Sequence, residues 1–259
     1  MKKLFCAFIC GLFFLTTMRA GFGFRLDSPG APAAPAASSY TYEIQLSLDD
    51  DASNVIVTNG GTNGYSWASE GNTSLYHTMT HKEGTGAFDF TSSAPYIYQE
   101  ANWTANKFVW IFWWQPANAT APAIETHLQL GTSGIGIGAN VAFLWRMTGA
   151  SNFRFYGQGP TGSYGYIETT NFSPGSAIWY CIKLSVDASA SPWTVSGGFA
   201  ANPLTCDETS TSFTNFTWGS WSADPTAVTA FAGPPYIGNG TGSYAPNAIF
   251  DFFRMRVGP

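Results

Sequence analysis

Charged side chains are scarce in this 259-residue chain. Only 10% of its residues are Asp, Glu, Lys or Arg, against about 25% in an ordinary soluble domain. The formal net charge is −5, so the chain lacks the basic footprint that nucleic acid requires, and no nucleic-acid partner is expected. The surface must instead be covered by Ser, Thr, Asn and Gly, a composition that suits a secreted β-protein.

Helical periodicity is also missing. No long stretch repeats apolar residues at i, i+3, i+4 and i+7, whereas 28 glycines and 15 prolines supply turns for many short strands. From residue 40 onward, about a dozen short strand-like segments are separated by turn signals. The pattern predicts an all-β sandwich or barrel of antiparallel strands.

The N-terminus has the pattern of a signal peptide. Lys2 and Lys3 precede an apolar run from Leu4 to Leu15, shorter than the roughly 18–20 residues that span a bilayer. We expect residues 1–23 to be a signal peptide and residues 24–39 a Pro/Ala-rich linker, with a membrane anchor as the alternative. The domain at 40–259 would then be secreted and would have no stable membrane span.

Two cysteines, Cys181 and Cys206, lie outside the N-terminal segment. In an oxidising compartment their only intramolecular partner is each other, and a bridge would close a loop of about 25 residues. The alternative is a buried, reduced Cys181 on a strand and an exposed Cys206 in a loop.

The segment Lys107–Pro116 (Lys-Phe-Val-Trp-Ile-Phe-Trp-Trp-Gln-Pro) predicts a strand that is apolar on both faces. Such a strand belongs in the middle of a sheet. With a side-chain period of two, its faces are Phe108, Trp110, Phe112 and Trp114 on one side and Val109, Ile111 and Trp113 on the other. We expect the first face to lie in the sandwich core, with the reverse arrangement as the alternative. The second face would be covered by chain or would line an aromatic groove that Trp113 faces.

Several short pieces follow one another in an order typical of one β-sandwich family. They are segments 84–90 (Gly-Thr-Gly-Ala-Phe-Asp-Phe), 96–97 (Tyr-Ile), 107–116, 177–180 (Ala-Ile-Trp-Tyr), 236–238 (Tyr-Ile-Gly) and 249–256 (Ile-Phe-Asp-Phe-Phe-Arg-Met-Arg). In this order the chain resembles the laminin-G-like, concanavalin A-like lectin/glucanase jelly rolls over residues 40–258. The resemblance implies an antiparallel two-sheet jelly-roll sandwich. Loop 187–192 and the irregular segment 202–235 depart from the family pattern.

The family that the chain resembles also contains glycosidases and polysaccharide lyases. A retaining glycosidase holds two carboxylates about 5–5.5 Å apart, but the Glu-x-Asp-x-x-Glu string of the glucanase relatives is absent here. For a lyase, Glu125, His127 and Arg146 offer the nearest base and charge-neutralising groups, although a lone His on a strand is more often structural. His77 and His81 give only a weak metal pattern. These residues favour a non-catalytic role, with a hydrolase or lyase as an alternative.

Aromatic residues in Gly-, Ser- and Asn-rich segments indicate carbohydrate binding. The apolar C–H faces of sugar rings stack on Trp and Tyr, and sugar hydroxyls bind Asn, Asp, Gln and backbone groups. Each candidate could instead pack in the core. The candidates are Trp67, Trp103, Trp113, Trp218, Trp221, Tyr164, Tyr166 and Tyr244.

Together these features predict a secreted, non-catalytic carbohydrate-binding or adhesion module. Its partner would be an extracellular glycan or a cell-surface or matrix component. One alternative is a structural or interaction protein of an extracellular surface, matrix or virion. A second is a polysaccharide-active enzyme whose carboxylates converge only in three dimensions.

The resemblance also implies calcium, since many family members carry Ca²⁺ at the rim of the sandwich. Asp49, Asp50, Asp51 and Asn54 form the densest cluster of oxygen ligands, with a solvated turn as the alternative. Calcium bound there should raise the melting temperature, so EDTA added to metal-replete protein is expected to lower it. Thermal denaturation tests this, and a melting curve insensitive to EDTA would contradict calcium binding.

Overall fold

The computed structural model describes residues 40–49, 56–70, 77–78, 80–90, 96–117, 125–131, 140–146, 152–162, 164–238 and 247–258. Strands dominate this part of the chain. In chain order they are β1 (Ile44–Leu46), β2 (Ile56–Val57), β3 (Trp67–Glu70), β4 (His77–Thr78), β5 (Ala87–Asp89), β6 (Tyr96–Gln99), β7 (Lys107–Pro116), β8 (Glu125–Leu130), β9 (Val141–Arg146), β10 (Phe153–Gln158), β11 (Tyr164–Glu168), β12 (Tyr180–Asp187), β13 (Thr194–Ala201), β14 (Thr214–Asn215), β15 (Pro235–Gly238) and β16 (Ala248–Val257). Across the described ranges no helix is long and apolar enough to cross a membrane.

The strands form two antiparallel sheets. Sheet A has the order β14-β13-β12-β7-β16-β5-β4, with β1 also paired to β16, and sheet B has the order β11-β10-β9-β8-β15-β6-β3-β2. Apolar side chains from both sheets form one shared core. The predicted antiparallel two-sheet jelly-roll sandwich is confirmed.

Strand β7 lies in the middle of sheet A, between β12 and β16. Phe108, Trp110, Phe112 and Trp114 enter the core between the sheets, as expected from the two-residue period. Trp113, on the opposite face, belongs to a smaller cluster with Trp179 and the disulfide. Of the two arrangements expected for the outer face of β7, the structure has the one in which chain covers Trp113, and Trp113 does not face a groove.

A bulge divides β16 into two parts that pair with different strands. The register shifts between Asp251 and Arg254, and Phe252 adopts a positive φ of 46°. The extra residue restores Phe253 to the core after Phe250, which simple alternation would not allow. Before the bulge β16 pairs with β5, and after it β16 pairs with β1.

The segment between β13 and β15 is largely irregular, as the sequence predicted. Buried Val228 and Phe231 anchor it to the core. The indole N–H of Trp193 donates to the Thr226 carbonyl at 2.8 Å, and the backbone N–H of Ser222 donates to the Tyr166 carbonyl at 2.9 Å. The segment thus joins the β13 side of sheet A to the β11 edge of sheet B.

Cys181 and Cys206 form a disulfide across 25 residues of sequence, which confirms the predicted pairing. Cys181 lies on β12 opposite Trp113, and both cysteines are buried. The bridge holds the β13–β14 segment against the outer face of sheet A. Near it, the Arg254 guanidinium donates to the Cys206 carbonyl at 2.6 Å.

Loss of the disulfide should destabilise the domain. The double variant Cys181→Ala/Cys206→Ala is expected to lose about 3 kcal/mol of unfolding free energy, because the unfolded chain regains the entropy of the closed loop. Urea denaturation measures this. Reducing agent should lower the midpoint of the wild type and leave that of the double variant unchanged; equal midpoints for all of them would contradict the prediction.

Asp251 on β16 is a carboxyl with no solvent exposure. Its Oδ2 accepts hydrogen bonds from the backbone N–H groups of Lys82 at 2.7 Å and Glu83 at 2.8 Å. Its Oδ1 has no hydrogen-bond partner among the residues the structure places. Burial raises the pKa of Asp251 to about 7; the two backbone donors oppose the shift, and the carboxylates of Glu83 and Asp49 add to it.

Folding stability should therefore depend on the charge of Asp251. Between its ordinary pKa of 3.8 and about 7, the folded protein retains a proton that the unfolded chain releases, so stability should fall as pH rises through this window. The slope from this one group is at most about 1.4 kcal/mol per pH unit. Asp251→Asn keeps the acceptor for Lys82 and Glu83 but cannot titrate. Urea denaturation from pH 4.5 to 8.5 should therefore show that the unfolding free energy of this variant depends less on pH than that of the wild type. Parallel profiles for the two proteins would contradict the prediction.

Candidate functional site

A row of side chains, mostly aromatic, crosses the outer face of sheet B. The registers place them opposite one another in the order Tyr98, Tyr236, Gln129, Phe143, Tyr156 and Tyr166. Their sequence neighbours on the same strands, such as Ile97, Ile237 and Ile167, belong to the core, so alternation turns the row outward. With strands about 4.8 Å apart, a row over these six strands, from β6 to β11, is about 24 Å long.

Three tyrosines form one end of this row, which we call the tyrosine patch: Tyr96, Tyr98 and Tyr236. Their ring centroids lie 5.7–5.8 Å from one another, and the rings of Tyr98 and Tyr236 are stacked at 25°. Each side chain is half-buried, so part of each ring faces solvent. The patch therefore offers aromatic surface held in place by cross-strand packing.

At the other end, Arg154 organises the edge of the sheet. Its guanidinium lies 3.9 Å from the ring centroid of Tyr166, and its Nε donates to the Glu168 carboxylate at 2.7 Å. Its Nη1 donates to the Tyr156 hydroxyl at 3.0 Å. Burial raises the pKa of Tyr156, although Arg154 opposes the shift, so this hydroxyl stays protonated at neutral pH. Tyr164, on the same face of β11, is 63% exposed.

The middle of the row is covered. Gln129, Phe143 and Tyr156 are 4%, 3% and 8% exposed, and the rings of Phe143 and Tyr156 stack with centroids 4.5 Å apart. Accessible aromatic surface therefore lies at the two ends, and the buried middle holds the strands that carry them.

The tryptophans predicted to stack on sugars do not lie in the aromatic row on sheet B. Trp67, Trp103 and Trp113 are at most 5% exposed, so their rings are not accessible to a ligand. The expectation for Trp67 took its segment as a loop, whereas β3 places the ring in the core. Trp113 lies beneath Lys82 and donates its indole N–H to Glu83 at 2.7 Å.

The remaining predicted residues fall in different places. Trp218 and Trp221 are half-buried in the segment between β13 and β15, where Trp221 donates its indole N–H to the Trp193 carbonyl at 3.0 Å. Tyr164 and Tyr166 come together on β11 at the end of the row. Tyr244 lies outside the described residues.

Of the predicted calcium ligands, Asp50, Asp51 and Asn54 lie outside the described residues. The Asp49 carboxylate accepts hydrogen bonds from the backbone N–H groups of Thr85 at 2.5 Å and Gly86 at 2.9 Å. Among the described residues no group of three His, Cys, Asp or Glu side chains is placed to hold a metal ion. Calcium binding stays a prediction.

His127, the candidate base, lies in a bulge of β8 between Thr126 and Leu128. The bulge turns its ring into the core, where it has no solvent exposure and packs against Trp114 and Phe153 at 5.5 and 5.7 Å. A base in this position cannot meet a polysaccharide at the surface.

Sequence reasoning missed Tyr96, Tyr98, Tyr236 and Arg154. A signal was present in Tyr96-Ile-Tyr98, because alternation around buried Ile97 turns both tyrosines to the same outer face. Their contact with Tyr236 depends on β15 lying next to β6, which no local pattern reports.

No family model matches the chain, and no curated protein matches it by sequence. Solved structures do match. The binding domain of botulinum neurotoxin serotype D matches with a TM-score of 0.50 at 11% identity over 84% of this chain and 48% of that one. The serotype G binding domain gives 0.47 at 10% identity over 84% and 48%. The exoplasmic/lumenal domain of VIP36, in a Ca²⁺- and mannose-bound form, gives 0.41 at 12% identity over 74% and 82%.

The chain covers about half the length of the neurotoxin binding domains that it matches. At these identities the likeness concerns the fold alone. The order of the two sheets and the serotype D match together show that this chain has a concanavalin A-like β-sandwich fold.

Proposed function

We propose that the protein is a secreted, non-catalytic module that binds an extracellular glycan through the outer face of sheet B. The tyrosine patch is the observation that carries the proposal. Sugar rings present apolar C–H faces that stack on aromatic rings, and the phenol hydroxyls supply polar contacts at the rim.

The length of the row supports an extended ligand. The tyrosine patch, on β6 and β15, is separated from the Tyr164–Tyr166 end, on β11, by β8, β9 and β10. Two aromatic ends about 20 Å or more apart could hold two parts of one oligosaccharide, since adjacent strands are separated by about 4.8 Å. Linked contacts of this kind raise affinity without requiring a deep pocket.

The charges on this face support binding over hydrolysis. Glu168 lies next to the exposed aromatics, but its carboxylate is paired with the Arg154 guanidinium. An acid catalyst would need a carboxyl placed at the glycosidic oxygen, whereas the Glu168 carboxylate is held against the Arg154 guanidinium.

The disulfide supports the extracellular part of the proposal. Structural disulfides form and persist in oxidising compartments and are rare in reducing ones. The bridge between Cys181 and Cys206 is buried beside Trp113 and Trp179, which is typical of a structural bridge. The expected partner is thus a glycan, or a glycosylated component of a surface or matrix.

Removal of aromatic surface from the tyrosine patch should weaken glycan binding. On a glycan array, Tyr98→Ala and Tyr236→Ala are each expected to reduce binding about tenfold, because one stacking ring contributes roughly 0.5–1.5 kcal/mol beyond its buried area. Tyr98→Phe keeps the ring and should retain most of the binding.

Tyr40→Ala is the matched control. This tyrosine is 42% exposed but lies against Arg256 of sheet A, so its loss should leave glycan binding unchanged. Melting curves establish that each variant is folded. Array binding that survives both alanine variants, or an array with no bound glycan, would contradict the proposal and favour a protein-interaction role.

A further inference from the structure

A cavity of about 540 Å³ opens on the outer face of sheet A, the sheet that does not carry the tyrosine patch. Its floor follows two cross-strand rows: Arg256, Val109, Ser185 and Ser196 in one, and Lys183, Gly198 and Asn215 in the other. Phe213, Phe216 and Trp218 line it as well. We call this the sheet A cavity. Its volume lies within the range of about 300–1,000 Å³ typical of small-molecule sites.

Small residues on β12 and β13 leave room for the cavity. Ser185 and Ser196 face each other across β12 and β13, and Gly197 and Gly198 follow on β13. A Cβ at Gly197 would lie 2.2 Å from the Lys183 carbonyl oxygen, and one at Gly198 would lie 2.6 Å from the Thr214 carbonyl oxygen. No side chain can therefore be added at either glycine without a shift of backbone.

Two cations reach the cavity, and they are held differently. Arg256 donates through Nε and Nη2 to Glu208 at 3.0 and 2.9 Å and through Nη1 to the carbonyls of Val257 and Gly258. Its donors are thus committed to the protein. The Glu208 side chain is fully buried beneath it.

The Lys183 ammonium has N–H donors that are available to a ligand. Its ammonium lies 3.6 Å from the Glu208 carboxylate, beyond hydrogen-bond distance, and its side chain is 29% exposed. None of the described residues that line the cavity is Asp or Glu, although the whole chain has 16 acidic and 11 basic residues. The lining is therefore rich in hydrogen-bond donors and carries two cations that share one buried carboxylate, Glu208.

We propose that the sheet A cavity binds a small sugar acid, a hydroxylated ring that carries one carboxylate. The Lys183 ammonium pairs with the carboxylate, since a charge-assisted hydrogen bond is the strongest contact this lining can supply. Ser185, Ser196 and Asn215 hydrogen-bond the ring hydroxyls, and Phe213 and Trp218 contact its apolar edge. This site lies on the opposite sheet from the proposed glycan face and does not depend on it.

Isothermal titration calorimetry of the full chain with sodium D-glucuronate tests the proposal. Saturable binding is expected, and it should weaken as NaCl is added because the pairing is partly exposed to solvent. D-glucose lacks the charge and sodium acetate lacks the ring, so each should bind at least about tenfold more weakly. No saturable binding of glucuronate, or equal affinity for either comparison compound, would overturn the proposal.

Variants locate the binding. Lys183→Gln should weaken glucuronate binding at least about tenfold. Lys107→Gln removes another sheet A cation, which is paired with Asp187 and 40% exposed, and should bind as the wild type does. Ser196→Tyr should block the cavity while both cations remain, which keeps the test decisive if Lys183→Gln does not fold. Glucuronate affinity unchanged in Ser196→Tyr would overturn the proposal, whereas Tyr98→Ala is expected to retain it.

Discussion

Burial of β7 on both faces is the constraint on which the rest of the structure depends. A ten-residue strand with Phe and Trp on one face and Val, Ile and Trp on the other cannot lie at an edge or face water on either side. It is therefore flanked by β12 and β16, covered by sheet B on one face, and covered at Trp113 by loop residues Lys82 and Glu83 on the other. The disulfide and the fully buried Asp251 lie on this outer side of sheet A. The disulfide packs in the cluster with Trp113, and Asp251 accepts a hydrogen bond from Glu83.

Parts of the outer face of each sheet stay accessible, and the two faces differ in chemistry. Sheet B carries a cross-strand row of aromatics whose ends are accessible. Sheet A carries a cavity with small floor residues and a cation, Lys183, held near the buried carboxylate of Glu208. An aromatic face suits the C–H surface of a glycan, and a donor-rich cavity suits an anionic group, so the two sites need not compete for one ligand.

The elements that were predictable from sequence were the ones with strong local patterns. β7 has the predicted bounds, because alternation defines the strand and Pro116 ends it. The two- to four-residue strands β2, β3, β4 and β14 have no such pattern, since they form by pairing with sheet neighbours and not from their own sequence. Because the sequence gives no strand pattern around Trp67, this residue was included among the sugar-stacking candidates. The tyrosine patch required the strand order, which joins residues far apart in the chain.

The central claim is that a glycan stacks on the tyrosine patch. The most direct measurement is solution NMR of the protein with labelled tyrosines, titrated with a glycan that it binds. The account predicts that ring signals of Tyr96, Tyr98 and Tyr236 shift together and that the sugar C–H protons move upfield, since they lie over aromatic faces. Saturable glycan binding that leaves all three tyrosine signals in place would contradict it.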